Sequence, residues 1–170
     1  MNTFFVSDAF DYYTQHIHRQ ERFKLLKEHN FPITGSVHPV DWELFGSILT
    51  GDTSKHGYGS DLSRYEVKSA VDRASFEYQY HLLSGQEKLE EDMRVDHIFI
   101  SYSTDYSKVV VRVVLGEVLA PTFRQWKTGL EENYKEANRR QRFRKSIAFG
   151  VVARIGTIVM AIESQCLVFP

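Results

Sequence analysis

Three charged residues near the middle of the chain have the types and spacing of a hydrolytic metal site. Glu66 and Lys68 are two apart in a strand-like segment, so on a β-strand both side chains point to one face. Asp61 follows a glycine-rich turn, and a tight β-hairpin would set it opposite Glu66. Two converging carboxylates suit Mg²⁺, and a lysine beside the metal could orient or deprotonate a water. The pattern predicts metal-dependent phosphodiester hydrolysis, although a solvated surface hairpin would carry the same charges.

The segments Gly59-Ser60-Asp61 and Glu66-Val67-Lys68-Ser69 resemble the active-site signature of the PD-(D/E)xK nucleases, and more narrowly that of small homodimeric type II restriction endonucleases. Thr50-Gly51 at a helix end and a polar, histidine-bearing segment at 75–81 fit the same pattern. The resemblance covers roughly residues 40 to 127. Ser60 stands where the family name has proline, and the gap between Asp61 and Glu66 is short for the family.

The resemblance implies a Mg²⁺-dependent endonuclease that cuts double-stranded DNA at a specific sequence and leaves 5′-phosphate ends. Asp61 and Glu66 would hold the metal with the main-chain carbonyl of Val67, and Lys68 would act on the water. Asp52 is an alternative first carboxylate, but it lies in a loop without a strand pattern. Glu43 on the preceding helix could assist the metal, although a solvated helix charge explains it more simply.

Residues that could contact DNA lie on both sides of this motif. Segment 72–81 mixes the side chains that read base edges in the major groove. Loop 53–58 could touch the DNA backbone or minor groove, and the basic run 139–145 could contact phosphates. Ordinary surface loops have similar compositions. The residues predicted to contact DNA are Lys55, His56, Tyr58, Asp72, Arg73, Ser75, Glu77, Gln79, His81, Arg140 and Arg142.

The composition is that of a globular chain. Its 170 residues suffice for one domain with a core, and the net charge of -1 argues against a non-specific DNA binder. The single cysteine, Cys166, allows no internal disulfide and is expected in the core. Neither a secretory signal nor a membrane-length apolar run is apparent. We therefore expect a cytoplasmic protein without a membrane partner or a small-molecule cofactor.

Hydrophobic periodicity predicts an α/β fold, with one domain and a mixed central β-sheet flanked by helices. The resemblance implies that its core is restriction-endonuclease-like. Residues 1–50 would be helical, 51–115 would hold the catalytic hairpin with a helix and strands, and 116–170 would hold a helix and a terminal β-hairpin. The acidic segment 86–92 is expected to face away from DNA or towards an arginine-bearing partner surface. The predicted elements are helices at 8–29, 39–50, 86–94 and 121–140, strands at 96–102 and 108–115, and hairpins at 58–71 and 147–169.

Other functions fit the same features. Cutting both strands of a duplex with one active site per chain implies a symmetric homodimer. A junction-resolving, repair or homing nuclease of the same fold is an alternative, and so is a non-catalytic DNA-binding or interaction protein. Cleavage at one discrete site favours a restriction endonuclease, and cleavage of branched DNA favours a junction-resolving, repair or homing nuclease. The absence of DNA cleavage favours a non-catalytic protein.

Overall fold

The computed structural model describes residues 3–55 and 59–169 of the chain. Helix α3 (Pro39–Thr50) leads into the loop that carries Asp61, and its ends follow from the sequence. His38 caps its first turn, Pro39 begins it, and Gly51 takes the left-handed conformation that ends it. The helices are α1 (Val6–Tyr12), continued by a π-helical turn (Tyr13–Ile17), α2 (Gln20–Glu28), α3 (Pro39–Thr50), α4 (Gly85–Asp92), α5 (Gly116–Lys135) and α6 (Phe149–Ile155).

The strands form a five-stranded mixed sheet and a separate two-stranded sheet. The larger sheet has the order β1-β3-β4-β6-β7, in which β1 and β3 are parallel and the other neighbours are antiparallel. The smaller sheet pairs β2 with β5 in antiparallel fashion. The chain leaves β1 through β2 and α4 before it returns as β3, and such a crossover produces parallel neighbours. The strands are β1 (Tyr65–Val71), β2 (Phe76–His81), β3 (Asp96–Tyr102), β4 (Val109–Val114), β5 (Arg142–Ile147), β6 (Thr157–Glu163) and β7 (Cys166–Phe169).

Two hydrophobic cores lie on opposite faces of the large sheet. Strand β3 contributes to both because successive side chains of a strand point to opposite faces. Ile98 and Ile100 join the core formed with α1 and α3, whereas Phe99 joins Tyr78 and Phe123 in the core formed with β2 and α5. Helices therefore flank the mixed sheet, and the predicted α/β class is confirmed.

The predicted hairpin over 58–71 is wrong. β1 begins at Tyr65 and pairs with β3, and Asp61 lies in an irregular loop before the strand. Residue 58 lies outside the described residues. An isolated bridge between Ser54 and Leu62 and several side-chain contacts hold this loop. The Arg64 N–H donates to the Asp52 carboxylate at 2.7 Å, and the Ser60 N–H donates to Glu91 at 2.9 Å.

The predicted terminal hairpin around Gly156 is also wrong. Residues before it form helix α6, and the hairpin joins β6 to β7 through Ser164 and Gln165, both with positive φ. A short apolar run fits a buried helix as well as a strand, so periodicity alone could not decide between them. Cys166 lies exposed on the edge strand β7 rather than in the core.

Several other boundaries differ from the predictions. The N-terminal helix is interrupted near His18 and Arg19, and α5 begins at Gly116, so Pro121 lies inside it. Strand β2 was not predicted within the segment 72–84, although its buried Phe76, Tyr78 and Tyr80 follow a period of two.

None of the helices in residues 3–55 and 59–169 is both long and apolar enough to cross a membrane.

Candidate active site

Strand β1 places Glu66 and Lys68 on one face, as their spacing predicts. The Glu66 side chain is completely buried, and the Lys68 Nζ lies 2.5 Å from its Oε1. The Lys68 ammonium also lies 5.1 Å from the centre of the Tyr78 ring, which packs beneath it. Val67, between them, points into the opposite core. Glu66 and Lys68 therefore lie on the face of β1 that packs against the core containing Tyr78.

Asp61 reaches the same site from the preceding loop. Its carboxylate Oδ2 accepts the Val67 N–H at 2.9 Å, and its own N–H donates to Glu66 Oε2 at 3.1 Å. These reciprocal bonds fix the loop against the strand. The structure therefore brings Asp61, Glu66 and Lys68 together, although without the hairpin that the sequence suggested.

The two alternative carboxylates have different environments. Asp52 is buried, and it accepts hydrogen bonds from the Thr53 and Arg64 N–H groups at 3.0 and 2.7 Å, so it organises the loop. Glu43, on α3, lines the cleft that also contains Asp61 and Lys68. Glu43 is therefore the carboxylate better placed to assist a metal.

Sequence reasoning missed a second lysine and a third acid in this site. Lys88 of α4 places its Nζ 2.8 Å from Glu66 Oε1 and 2.9 Å from the Gly59 carbonyl. Asp92, one turn later, lies 3.4 Å from the same ammonium and accepts the Tyr80 hydroxyl at 2.8 Å. The inner face of this acidic helix thus contributes Lys88 and Asp92 to the site, while its orientation relative to DNA stays a prediction. The i,i+4 spacing of Lys88 and Asp92 was the available signal.

The acids of this cluster titrate far from their ordinary ranges. Burial and the neighbouring Glu66 raise the pKa of Asp61 to about 6. Burial and Glu66 likewise raise the pKa of Asp92 to about 7. Burial opposes ionisation of Glu66 too, but the ammonium groups of Lys68 and Lys88 outweigh it and lower the pKa of Glu66 to about 2. Glu66 is therefore the permanent anion of the site.

The two lysines keep their protons. Burial acts to lower the pKa of Lys68, but Glu66 and Asp61 outweigh it and raise the pKa. The pKa of Lys88 is raised in the same way, chiefly by Glu66 and Asp92 against burial. When all groups are ionised, three carboxylates face two ammonium groups, so the cluster carries one negative charge in excess.

The residues present fit a divalent cation. Asp61 and Glu66 offer two converging carboxylates, and their mutual repulsion would be relieved by a bound cation. The Val67 N–H points towards Asp61, and in an extended strand the carbonyl of the same residue points to the same side. Mg²⁺ commonly binds one or two carboxylates and keeps several waters. Within the described ranges no three side chains of His, Cys, Asp or Glu form a metal-binding group. The Val67 carbonyl and water would therefore complete the coordination of the cation.

The site opens into a cleft of about 320 Å³. Asp61, Lys68 and Lys88 line it together with Glu77 and Gln79 of β2. A larger cleft of about 550 Å³ lies at the π-helical turn, but it does not include this charged cluster. The cleft of about 320 Å³ is the candidate for chemistry, because Asp61 and Lys68 line it and both contact the buried Glu66.

Strands β2 and β5 form a ribbon whose polar face adjoins this cleft. Opposite residues in an antiparallel pair share a face, and here the pairs are Glu77 with Ser146, Gln79 with Arg144, and His81 with Arg142. The aromatic residues of β2 point the other way, into the core. Arg144 was predicted only as a member of the basic run 139–145, because its position beside Gln79 depends on pairing between distant segments. We call these six residues the ribbon face.

The remaining residues predicted to contact DNA are dispersed. Asp72, Arg73 and Ser75 lie in the exposed turn between β1 and β2. Lys55 is paired with Glu91 at 2.6 Å, and Arg140 has its backbone bonded to the Asn133 side chain. His56 and Tyr58 lie outside the described residues.

His97 supports the site from behind. Its ring lies 2.8 Å from the Asp92 main-chain carbonyl, which can only accept, so Nε2 carries the proton and Nδ1 accepts the Tyr78 hydroxyl at 2.9 Å. Burial lowers the pKa of His97 to about 4, below its ordinary value of 6.5. The folded state therefore favours the neutral ring, and its stabilisation is present above pH 6.5 and lost as the pH falls towards 4.

We expect the wild type to lose more stability than His97→Gln as the pH is lowered. The excess of the wild-type free energy of unfolding over that of His97→Gln should shrink by up to about 3 kcal/mol between pH 7 and pH 4. Urea unfolding across this pH range measures it, and contributions from Asp61 and Asp92, which have the opposite sign, largely cancel in the difference. A difference that is independent of pH would show that His97 does not titrate as proposed.

A scan of the chain against models of known protein families finds no match, and a search of curated proteins finds none either.

Proposed function

We propose that this protein is a Mg²⁺-dependent type II restriction endonuclease that hydrolyses double-stranded DNA at a specific sequence. The observation that carries the proposal is the convergence on the buried Glu66 of Asp61 and Lys68, which line a cleft. A solvated surface site would not bury Glu66 completely or surround it with two ammonium groups. The resemblance of these residues to the PD-(D/E)xK signature supports the same reaction.

The proposed roles follow from the contacts. Asp61, Glu66 and the Val67 carbonyl would hold Mg²⁺, and Glu43 could add a ligand through water. Bound Mg²⁺ would stabilise the charge that develops on the phosphate. Lys68 stays protonated, so it would orient the attacking water as a hydrogen-bond donor. By analogy with the family, in-line attack would leave 5′-phosphate and 3′-hydroxyl ends.

The ribbon face would read the DNA sequence. A two-stranded β-ribbon fits the major groove, where arginine pairs with guanine and glutamine with adenine. Arg144 and Gln79 are cross-strand neighbours, and Gln79 lines the catalytic cleft. Base contacts by this pair would therefore lie close to the bond that is cut. A homodimer would present two such ribbons and two clefts to the two strands.

We expect Arg144→Ala and Gln79→Ala each to reduce discrimination between the cleaved site and a scrambled sequence by about 1–3 kcal/mol. Fluorescence anisotropy in Ca²⁺ would compare the two DNAs. Arg22→Ala is a matched control, because Arg22 is an exposed arginine of α2, remote in sequence from the ribbon. Equal loss of affinity for both DNAs in the ribbon variants would indicate phosphate contact and contradict base readout.

Incubation with a plasmid panel and with branched DNA, in Mg²⁺ or EDTA, tests the proposed function. Discrete fragments that form only in Mg²⁺ are the expected result. Cleavage restricted to branched DNA would move the function to recombination or repair. Intact plasmids with folded protein on many sequences would favour a non-catalytic DNA-binding or interaction protein.

A further inference from the structure

Glu66 contacts two ammonium groups, whereas the proposed reaction uses only the one from Lys68. Its Oε1 contacts both the Lys68 and the Lys88 ammonium groups, at 2.5 and 2.8 Å, while its Oε2 accepts the Asp61 N–H. Lys68 belongs to the strand motif, whereas Lys88 comes from another element, α4. Every oxygen through which Glu66 could bind a metal is therefore already engaged.

The Lys88 ammonium sits among oxygens. Around it lie the Glu66 and Asp92 carboxylates and the Gly59 carbonyl, at 2.8, 3.4 and 2.9 Å. Two carboxylates and a main-chain carbonyl are also the ligand types that bind hard divalent cations. The side chain is only 20% exposed, so water screens the ammonium poorly. Lys88 thus occupies a position in which a cation is stabilised.

A divalent cation on Asp61 and Glu66 would stand close to this ammonium. Both charges would bind the same Glu66 carboxylate, and their repulsion in a poorly screened site would be strong. Lys88 has a second acceptor, because Asp92 lies within reach on the next turn of the same helix. Asp92 is itself held in place by the Tyr80 hydroxyl.

We infer that Lys88 is an internal competitor of the divalent cation. In the metal-free protein its ammonium neutralises Glu66, and on metal binding it moves from Glu66 to Asp92. The inference rests on the proposed function, since it assumes that Asp61 and Glu66 bind the metal. It makes Lys88 a positioning residue that sets how much divalent cation the site needs, and Asp92 the residue that accepts the displaced ammonium.

Calorimetric titration of the full chain with Mn²⁺, without DNA, tests this role. Lys88→Gln removes the charge but keeps a donor for the Gly59 carbonyl, and we expect it to bind Mn²⁺ about 10-fold more tightly than the wild type. Asp92→Asn removes the alternative acceptor, and we expect weaker Mn²⁺ binding. Lys127→Gln is the matched control, because the one salt bridge that Lys127 forms within residues 3–55 and 59–169 is a partly exposed one with Glu90. Tighter Mn²⁺ binding by one variant and weaker binding by the other would not arise from a general loosening of the fold, which would change both in the same direction.

Unchanged or weaker Mn²⁺ binding by Lys88→Gln would overturn the inference while the wild type still binds. If Lys88→Gln does not fold, the Asp92→Asn titration decides, and unchanged or tighter binding there would overturn it. The proposed function is judged separately, by DNA cleavage. Tighter Mn²⁺ binding by Lys88→Gln in a protein that cuts no DNA would keep the inference and reject the nuclease.

Discussion

Replacing Lys68 by alanine is expected to reduce the rate of DNA cleavage by about 10³-fold. Lys68 is the one lysine of the strand motif, and its ammonium contacts Glu66 directly. Without it, nothing on β1 would orient the attacking water beside the proposed metal. The carboxylates and the ribbon face would remain, so binding to the cleaved sequence in Ca²⁺ should persist. Cleavage rates under single-turnover conditions and anisotropy in Ca²⁺ measure the two quantities.

Lys108→Ala is the matched control for this prediction. Lys108 is half exposed and forms a loose surface pair with Glu163 at 3.8 Å, so its loss should leave cleavage unchanged. If Lys68→Ala cleaves as fast as Lys108→Ala while both remain folded, Lys68 has no part in the reaction. If Lys68→Ala loses DNA binding instead, its role is in binding rather than in the chemical step.

Replacing Phe123 by alanine is expected to lower the free energy of unfolding by about 3–5 kcal/mol. Phe123 is fully buried, and its ring centre lies 5.3 Å from that of Tyr78 and 5.1 Å from that of His97. The cavity would open directly behind the residues that support Lys68 and Asp92. Phe123 and Trp126 of α5 both belong to this core and do not form an exposed stacking platform. Urea unfolding at pH 7 measures the loss.

Phe31→Ala provides the comparison. Phe31 is 63% exposed, so the same truncation there should change the free energy of unfolding by no more than about 0.5 kcal/mol. A loss below about 1 kcal/mol in Phe123→Ala would mean that the layer behind the site is far less tightly packed than its burial indicates.

Local patterns in the sequence accounted for the strand part of the site. Glu66 and Lys68 share a face because a strand repeats every two residues, and this holds whatever the strand pairs with. The proximity of Asp61 was predicted from a hairpin that does not form. What places Asp61 is its bond with the Val67 N–H, together with the loop contacts made by Asp52 and Glu91.

Contacts between distant segments could not be read from the sequence. Lys88 and Glu66 are separated by 22 residues along the chain, and they meet because α4 packs against β2 and α5, from where the Lys88 side chain reaches Glu66. Arg144 lies beside Gln79 only because β5 pairs with β2 in one particular register. Periodicity predicts which face of an element is buried, but the partner of that face depends on how the whole chain packs.

The dependence of plasmid cleavage on Mg²⁺ concentration, compared between the wild type and Asp61→Asn, tests whether this cluster is a catalytic metal site. We expect discrete fragments from the wild type at a rate that saturates with Mg²⁺. For Asp61→Asn, which loses one proposed metal ligand, we expect a rate lower by at least about 10²-fold that responds to higher Mg²⁺. Folded wild-type protein that cuts no plasmid, or Asp61→Asn that cuts with the wild-type Mg²⁺ dependence, would contradict the assignment of this cluster as a catalytic metal site.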